Sequence, residues 1–313
     1  MRGILLRRLA ISIPLLIVVS FLTFALVSLT PGDAAYTILG ARATPDQLAH
    51  LREQLGLNQQ LIVQYLTWIG HALTGNLGNS LISGQSVNTA IVQRLPPTLS
   101  LVFGAFIVMT IVGVGLGIIA ATRRGVVARV IDLLSFGGLA IPGFVLALFL
   151  IPPFAISLQW FPASGYTPLT DSPQEWALGL VLPVVALVFG GVGVIAKQTR
   201  AALDDVLSRD FITMMRANGY RRNSIIYKHA LKTAAMPVIA VLGVVAVGLV
   251  SGTVLIEIVF AIPGLGGLAV QASSQSDLTL VVGVTVVFTL IVVLINFALD
   301  ICYAAVNPKA VAA

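Results

Sequence analysis

Charge is scarce in this 313-residue chain. Lys and Arg number 18 and Asp and Glu 12, together 10% of the residues. A soluble globular domain carries roughly 25% charged residues, so this chain lacks the polar surface to cover itself in water. Cysteine is scarcer still. Cys302 stands alone, which excludes an internal disulfide, and no metal-ligand spacing surrounds it. The three histidines, His50, His71 and His229, are scattered rather than clustered. The motifs GxxxxGK[ST], HExxH, GxSxG and CxxC are all missing, so the sequence offers neither a P-loop for nucleotide hydrolysis nor a recognisable catalytic constellation. Ionisable groups also avoid the middle of the apolar runs. Asp132 lies near the end of one run, and Glu257 and Asp300 sit at or just beyond the ends of two others. Charges at mid-depth mark ion and proton relays. Their lack argues against a proton-coupled transporter and against a voltage sensor, and it leaves the chain without a visible energy source.

What is present is apolar. Hydrophobic residues make up 58% of the chain, and the mean hydropathy is +1.00. Six apolar runs fall near residues 9–29, 98–121, 130–151, 176–196, 233–256 and 278–298. Each approaches the ~20 residues a helix needs to cross ~30 Å of hydrocarbon. The runs are continuous rather than alternating, which favours helices over barrel strands. The expectation is an all-α polytopic membrane protein with six transmembrane helices. Fifteen of the Lys and Arg residues lie on the N-terminus, the second-to-third and fourth-to-fifth connections and the tail. Only Arg42, Arg52 and Arg94 lie on the other side. This asymmetry places both termini in the cytoplasm. It also accounts for the net charge of +6 without a nucleic-acid partner. Arg2, Arg7 and Arg8 precede a run too long for the h-region of a cleaved signal peptide.

The segment between the first two runs, residues 30–97, carries helix signals. Thr44-Pro45-Asp46-Gln47 has a hydroxyl cap, a proline in the first turn and a capping-box glutamine. Leu48, Leu51 and Leu55 then share a face, and Gly56 marks the stop. Leu61, Tyr65, Trp68, Ile69 and Leu73 share another face before Gly75. The predicted product is a small extracytoplasmic helical cap, open to two readings: a packing scaffold, or a platform for a substrate-delivering protein. Inside the runs, Gly113 and Gly117, and Gly248 and Gly252, have GxxxG spacing. Gly137 and Gly138, and Gly190, Gly191 and Gly193, form clusters. Small residues let helices approach closely in lipid. Pro142, Pro183 and Pro237 are candidate kinks.

The most informative stretch runs from Asp210 to Pro237, a basic polar island between greasy runs. Ser208 or Asp210 is placed to cap a short helix through Asn218, with Gly219 as its stop. Phe211, Met214 and Met215 would form an apolar knob, rimmed by Arg216, Arg221, Arg222 and Lys228. Asn223 or Ser224 would start the next helix. Spacing alone leaves two readings: a docking surface, or arginines that enforce topology and touch anionic headgroups.

Arg216-Ala217-Asn218-Gly219, His229-Ala230-Leu231-Lys232 and Pro237 resemble the "EAA" coupling loop of ATP-binding-cassette importer permeases. The likeness is greatest to the B-type subunit of dipeptide and oligopeptide permeases. Residues 5–9 and the Thr-Pro-Gly-Asp at 30–33 fit that pattern, as do Gly-Asn-Leu-Gly-Asn-Ser at 75–80 and Arg-Leu-Pro-Pro-Thr at 94–98. So do 257–266 and the closing 300–308. Thr213 departs from the pattern, standing where members often carry Glu.

The resemblance implies a type I importer permease fold in a bacterial plasma (inner) membrane. It divides the chain into 1–29, an extracytoplasmic segment 30–97, a core 98–304 with a coupling loop at 197–232, and a tail 305–313. The chain would be a non-catalytic subunit holding no cofactor. Partner ATPases would bind ATP and Mg2+. Its partners would be a homologous second permease, two cytoplasmic ATPase subunits or domains, an extracytoplasmic substrate-binding protein, a peptide substrate and the lipid bilayer. Thr213, Met214, Met215, Arg216, Ala217, Gly219 and Tyr220 would meet the ATPase. Glu257 is open to three roles: pairing with the second permease, an outer gate, or a helix cap. Alternatives to peptide cargo are a nickel complex, glutathione or haem. Outside the importer class, the alternatives are a passive channel or a scaffold without a transport role.

Overall fold

The computed structural model describes residues 2–29, 34–40, 43–123 and 125–306. The 30–33 motif, Arg42, Arg124 and the tail from 307 with Lys309 lie outside the described residues. Everything described is helix, turn or loop, apart from one isolated bridge between Asn79 and Ser86. Among the described residues five helices are long and apolar enough to cross a membrane: Ile11–Leu29, Val87–Thr122, Pro173–Leu207, Arg222–Val259 and Leu278–Val306. The chain divides into two compact units.

One unit holds residues 5–98 and 263–293. It contains α1 (Arg2–Leu29) from residue 5, α2 (Ala34–Leu39), α3 (Pro45–Gln54) and α4 (Leu61–Leu73). It also contains the first turns of α5 (Val87–Thr122), α12 (Leu265–Ser274) and the first half of α13 (Leu278–Val306). Helix α3 forms as its sequence requires. Thr44 is the N-cap, Gln47 closes the capping box, and Pro45 opens the first turn. Gly56, at φ +68°, donates to Glu53 O, and Leu57 donates to Arg52 O. This is a Schellman stop that needs the left-handed residue. Helix α4 ends in the same way at Gly75.

The core of this unit is aromatic. Tyr65 and Trp68 of α4 are buried against Phe24 of α1 and Leu278 and Val282 of α13. Phe21 and Phe24 meet Tyr65 edge-on at 5.1 and 5.6 Å. The Tyr65 hydroxyl donates to Ile17 O at 3.1 Å and lies 2.9 Å from the Ser20 hydroxyl. Leu73, placed on this face by its spacing, instead points outward. The loop after α4 is pinned by Asp277, the buried residue before α13. Its carboxylate accepts from the Ser80 hydroxyl, Leu81 N and Leu280 N.

The other unit holds residues 1–4, 99–262 and 294–313. The predicted third run is not one helix. Ile141 adopts an extended conformation, and the chain breaks into α6 (Val126–Ala140) and α7 (Gly143–Leu150), the latter continued by π-helical turns at Ile151–Ser157. The residue before a proline is pushed out of the helical region, and Pro142 enforces that at Ile141. The second run differs in the opposite sense. Helix α5 begins at Val87, eleven residues before the predicted start, and passes straight through Pro96 and Pro97. The two carbonyls those prolines leave free belong to the exposed residues Val92 and Gln93.

Helix α8 (Pro173–Leu207) packs against α6, α7 and α11 (Leu231–Val259). Glycine sets its close contacts. A Cβ on Gly117 would stand 2.7 Å from Ala196 O, and one on Gly138 2.6 Å from Phe189 O. These are backbone-to-backbone approaches that no larger residue allows. The 248–252 pair is different. Gly248 has open space around it, and a Cβ on Gly252 would meet only the Leu187 side chain, at 3.0 Å, so no backbone-to-backbone approach occurs there.

Candidate coupling site

The basic island between α8 and α11 folds into a short helix on a braced platform. Helix α9 spans Asp210–Ala217. Neither Ser208 nor Asp210 caps it. Arg209 is the N-cap, without a side-chain bond. Ser208 instead closes α8, with its hydroxyl on Asp205 O at 2.7 Å. Asp210 in the first turn and Arg216 in the last complement the helix dipole. The stop at Gly219 follows the sequence reading. Its φ is +79°, its N–H donates to Arg216 O, and Tyr220 N donates to Met215 O.

The next helix starts at Arg222, with Arg221 as N-cap, so Asn223 and Ser224 lie inside its first turn. It runs unbroken from Arg222 to Val259 as α10 (Arg222–Ser224), π-helical turns at Ile225–Ala230, and then α11. Helix α9 packs on those π-helical turns, where Ile225, Ile226 and Ala230 are buried.

The residue that holds α9 down is Ile212, fully buried at 0% exposure. The sequence reading missed it because the knob was drawn around its neighbours. Two of those, Phe211 and Met214, point outward at 39% and 64% exposure. Met215 is half-buried. Thr213, Arg216, Ala217, Gly219 and Tyr220 are all exposed. The seven predicted coupling residues therefore share one short segment, with Ile212 behind it. Tyr220 meets the His229 ring edge-on at 6.1 Å.

Ionic and polar bonds brace the platform. The Arg222 guanidinium donates to Thr122 O, at the end of α5, at 2.8 Å. Arg200 of α8 donates to Asp132 of α6 at 2.6 Å and lies 3.6 Å from Asp204. Arg209 pairs with Asp205 at 2.7 Å. An apolar knob on a stub seated on this braced platform can pass on a push.

Glu257 belongs elsewhere. It lies in the last turn of α11, not beyond it, and is 1% exposed. Asp300 likewise falls inside α13. At 1.5 Å per residue, roughly 50 Å of helix separates Arg222 from Glu257. The Glu257 carbonyl accepts from Ile262 N at 2.8 Å and closes the helix end, with Ala261 in the left-handed region at φ +48°. Its backbone therefore takes part in the cap, while its side chain is packed inside the chain rather than presented on its surface.

Residues 113–311 match the family described as binding-protein-dependent transport system inner membrane component, and residues 1–102 match the N-terminal membrane component of such systems. The chain belongs to this family. Over 315 residues, 99% of each chain, it is 36% identical to a protein of Brucella abortus (strain 2308) named as a peptide transport system permease. It is 33% identical over 313 residues, again 99% of each, to the oligopeptide transport system permease protein AppB of Bacillus subtilis (strain 168). Among solved structures it resembles a chain of the MetNI methionine ABC transporter in inward-facing conformations. The TM-score is 0.57 at 22% identity, covering 69% of this chain and 96% of that one. This likeness establishes the fold. This inner-membrane component is thus a multi-pass, all-α protein of the ABC permease type.

Proposed function

We propose that this chain is the permease subunit of an ATP-driven importer of dipeptides or oligopeptides, worked through α9. The observation that carries the reading is the build of α9: an exposed apolar knob over one buried anchor, seated on π-helical turns beside helices that Arg222–Thr122 and Arg200–Asp132 brace against one another. The names of the full-length relatives supply the cargo class. The excess of Lys and Arg on the α9 side supports a cytoplasmic position for that side and for both termini.

In this reading, two cytoplasmic ATPase subunits or domains bind ATP and Mg2+, and one of them receives Thr213–Ala217, Gly219 and Tyr220 in a cleft. A homologous second permease completes the pathway, and an extracytoplasmic binding protein delivers the peptide. ATP does work only by binding the two states of the complex unequally. Closure of the ATPase pair then moves α9, and the helices behind it turn as packed bodies.

The test uses Gly219→Pro, or removal of 213–220, in the complete transporter. Proline cannot reach φ +79° and removes the N–H that bonds Arg216 O. Both variants are expected to insert into the membrane normally while peptide uptake and peptide-stimulated ATP hydrolysis fall together. Wild-type, ATP-coupled uptake by either variant would overturn the assignment.

A further inference from the structure

A cavity of about 1050 Å3 opens beside α9, between the ends of α5 and α8 and the start of α10. Its two walls differ in character. One is apolar, formed by Ala120 and Ala121 at the end of α5 and Ile225 and Ile226 of the π-helical turns. The polar lining comes from Thr213, Arg216 and Tyr220 of α9 and its exit, with Arg222, Ser208 and the Asp204 carboxylate.

Charge on the polar wall is not evenly committed. Arg200 also lines the cavity, but Asp132 at 2.6 Å and Asp204 at 3.6 Å already hold it. Arg222 gives one N–H to Thr122 O, and a guanidinium has five. Arg216 is exposed on the last turn of α9. The positive potential offered to a ligand therefore comes from Arg216 and Arg222. Their planar donor forks match the oxygens of a phosphate.

We propose that this cavity binds the phosphate group of an anionic phospholipid. A phosphate diester is the chemistry that two guanidiniums and neighbouring hydroxyls recognise. The apolar wall selects a lipid over free phosphate, because Ala120, Ala121, Ile225 and Ile226 would line the first methylenes of an acyl chain. The volume suits this assignment. It lies just above the roughly 300–1000 Å3 of small-molecule sites, which is room for a headgroup and the start of its chains. The location suits it too, at the last residues of a helix apolar enough to cross the bilayer, where basic pockets meet headgroups. A lipid held there touches α9 and its Gly219 exit on one side and the end of α5 on the other, so it would stiffen the stub against its platform. The inference is independent of the cargo, but it shares Thr213, Arg216 and Tyr220 with the proposed ATPase contact, so it requires the lipid to stay bound beside α9 when the ATPase is seated.

The test measures lipid retention by native mass spectrometry. It uses the full chain and then the assembled transporter, with phosphatidylglycerol, phosphatidylcholine and inorganic phosphate as probes. Phosphatidylglycerol is expected to bind preferentially. Each of Arg216→Gln and Arg222→Gln should weaken it on the order of fivefold, the effect of one basic residue near an anionic surface. Arg222→Lys should recover part of that loss. Ala121→Phe, which fills the apolar wall and keeps both arginines, should also displace the lipid. Four results would overturn the proposal. They are equal binding of the two lipids, no loss with Arg222→Gln, displacement by millimolar phosphate with Ala121→Phe silent, and loss of the lipid once the ATPase subunits assemble.

Discussion

Replacing Ile212 by Ala tests whether α9 is a lever or a passive loop. The helix has eight residues, too few to persist on its own, and Ile212 is its one fully buried side chain. Truncating a buried isoleucine to alanine costs about 2–5 kcal/mol. The low end is used here because α9 lies at the surface, with Phe211 and Met214 exposed beside Ile212. About 2 kcal/mol is roughly a 30-fold change in a local opening equilibrium. Hydrogen exchange at the amides of 212–217 should therefore speed up by roughly 30-fold, with the amides of α8 and α11 unchanged. ATP hydrolysis should continue in the complex but no longer respond to substrate, because a stub that swings freely passes on no displacement. Met214→Ala is the control. Met214 is 64% exposed, so exchange in α9 should change by no more than about twofold, while contact with the ATPase weakens. The reasoning fails if Ile212→Ala leaves exchange at wild-type rates, or if α9 loosens and transport stays fully coupled.

Two further outcomes follow from the helix ends. Ala261 sits at φ +48° with hydrogen bonds closing α11 around it. The left-handed region costs a non-glycine residue about 1–2 kcal/mol, against roughly 0.5–1 kcal/mol of added chain entropy for glycine. Ala261→Gly should thus raise the thermal unfolding midpoint of the purified protein slightly and Ala261→Val should lower it; the reverse order would show that the strain is illusory. Asp277→Ala should destabilise by at least about 3 kcal/mol, since it strands the Ser80 hydroxyl and the N–H groups of Leu81 and Leu280 in a buried site. Ser80→Ala should cost only about 1 kcal/mol, and a double-mutant cycle that finds the two additive would refute the shared network.

The parts legible in the sequence were those governed by local chemistry. The box at Thr44–Gln47 and the stops at Gly56, Gly75 and Gly219 each need one residue type at one position, and each folds as read. Five of the six long apolar runs are crossing-length helices, because their signal is summed over about twenty residues; the third breaks at Pro142. Proline was read less well, because its effect depends on context. Pro142 breaks a helix through the residue before it, while Pro96 and Pro97 sit inside one whose freed carbonyls are on exposed residues. Long-range partners were not legible at all. Nothing near Arg200 points to Asp132, 68 residues away, and nothing near Ser80 points to Asp277. Ile212 was hidden for a related reason. Within a short helix that also carries Phe211 and Met214, spacing does not tell which apolar side chain turns inward, and burial settled it.

The central claim is that α9 transmits work from a cytoplasmic ATPase, and a single cysteine at Met214 tests it most directly. In the assembled transporter, a Met214→Cys, Cys302→Ser chain is expected to cross-link, through a short bifunctional maleimide, to a cysteine introduced at the cleft of an ATPase subunit. The yield should differ between ATP-bound and nucleotide-free states. Labelling of that cysteine by a membrane-impermeant reagent from outside intact cells, with no cross-link formed, would contradict the account.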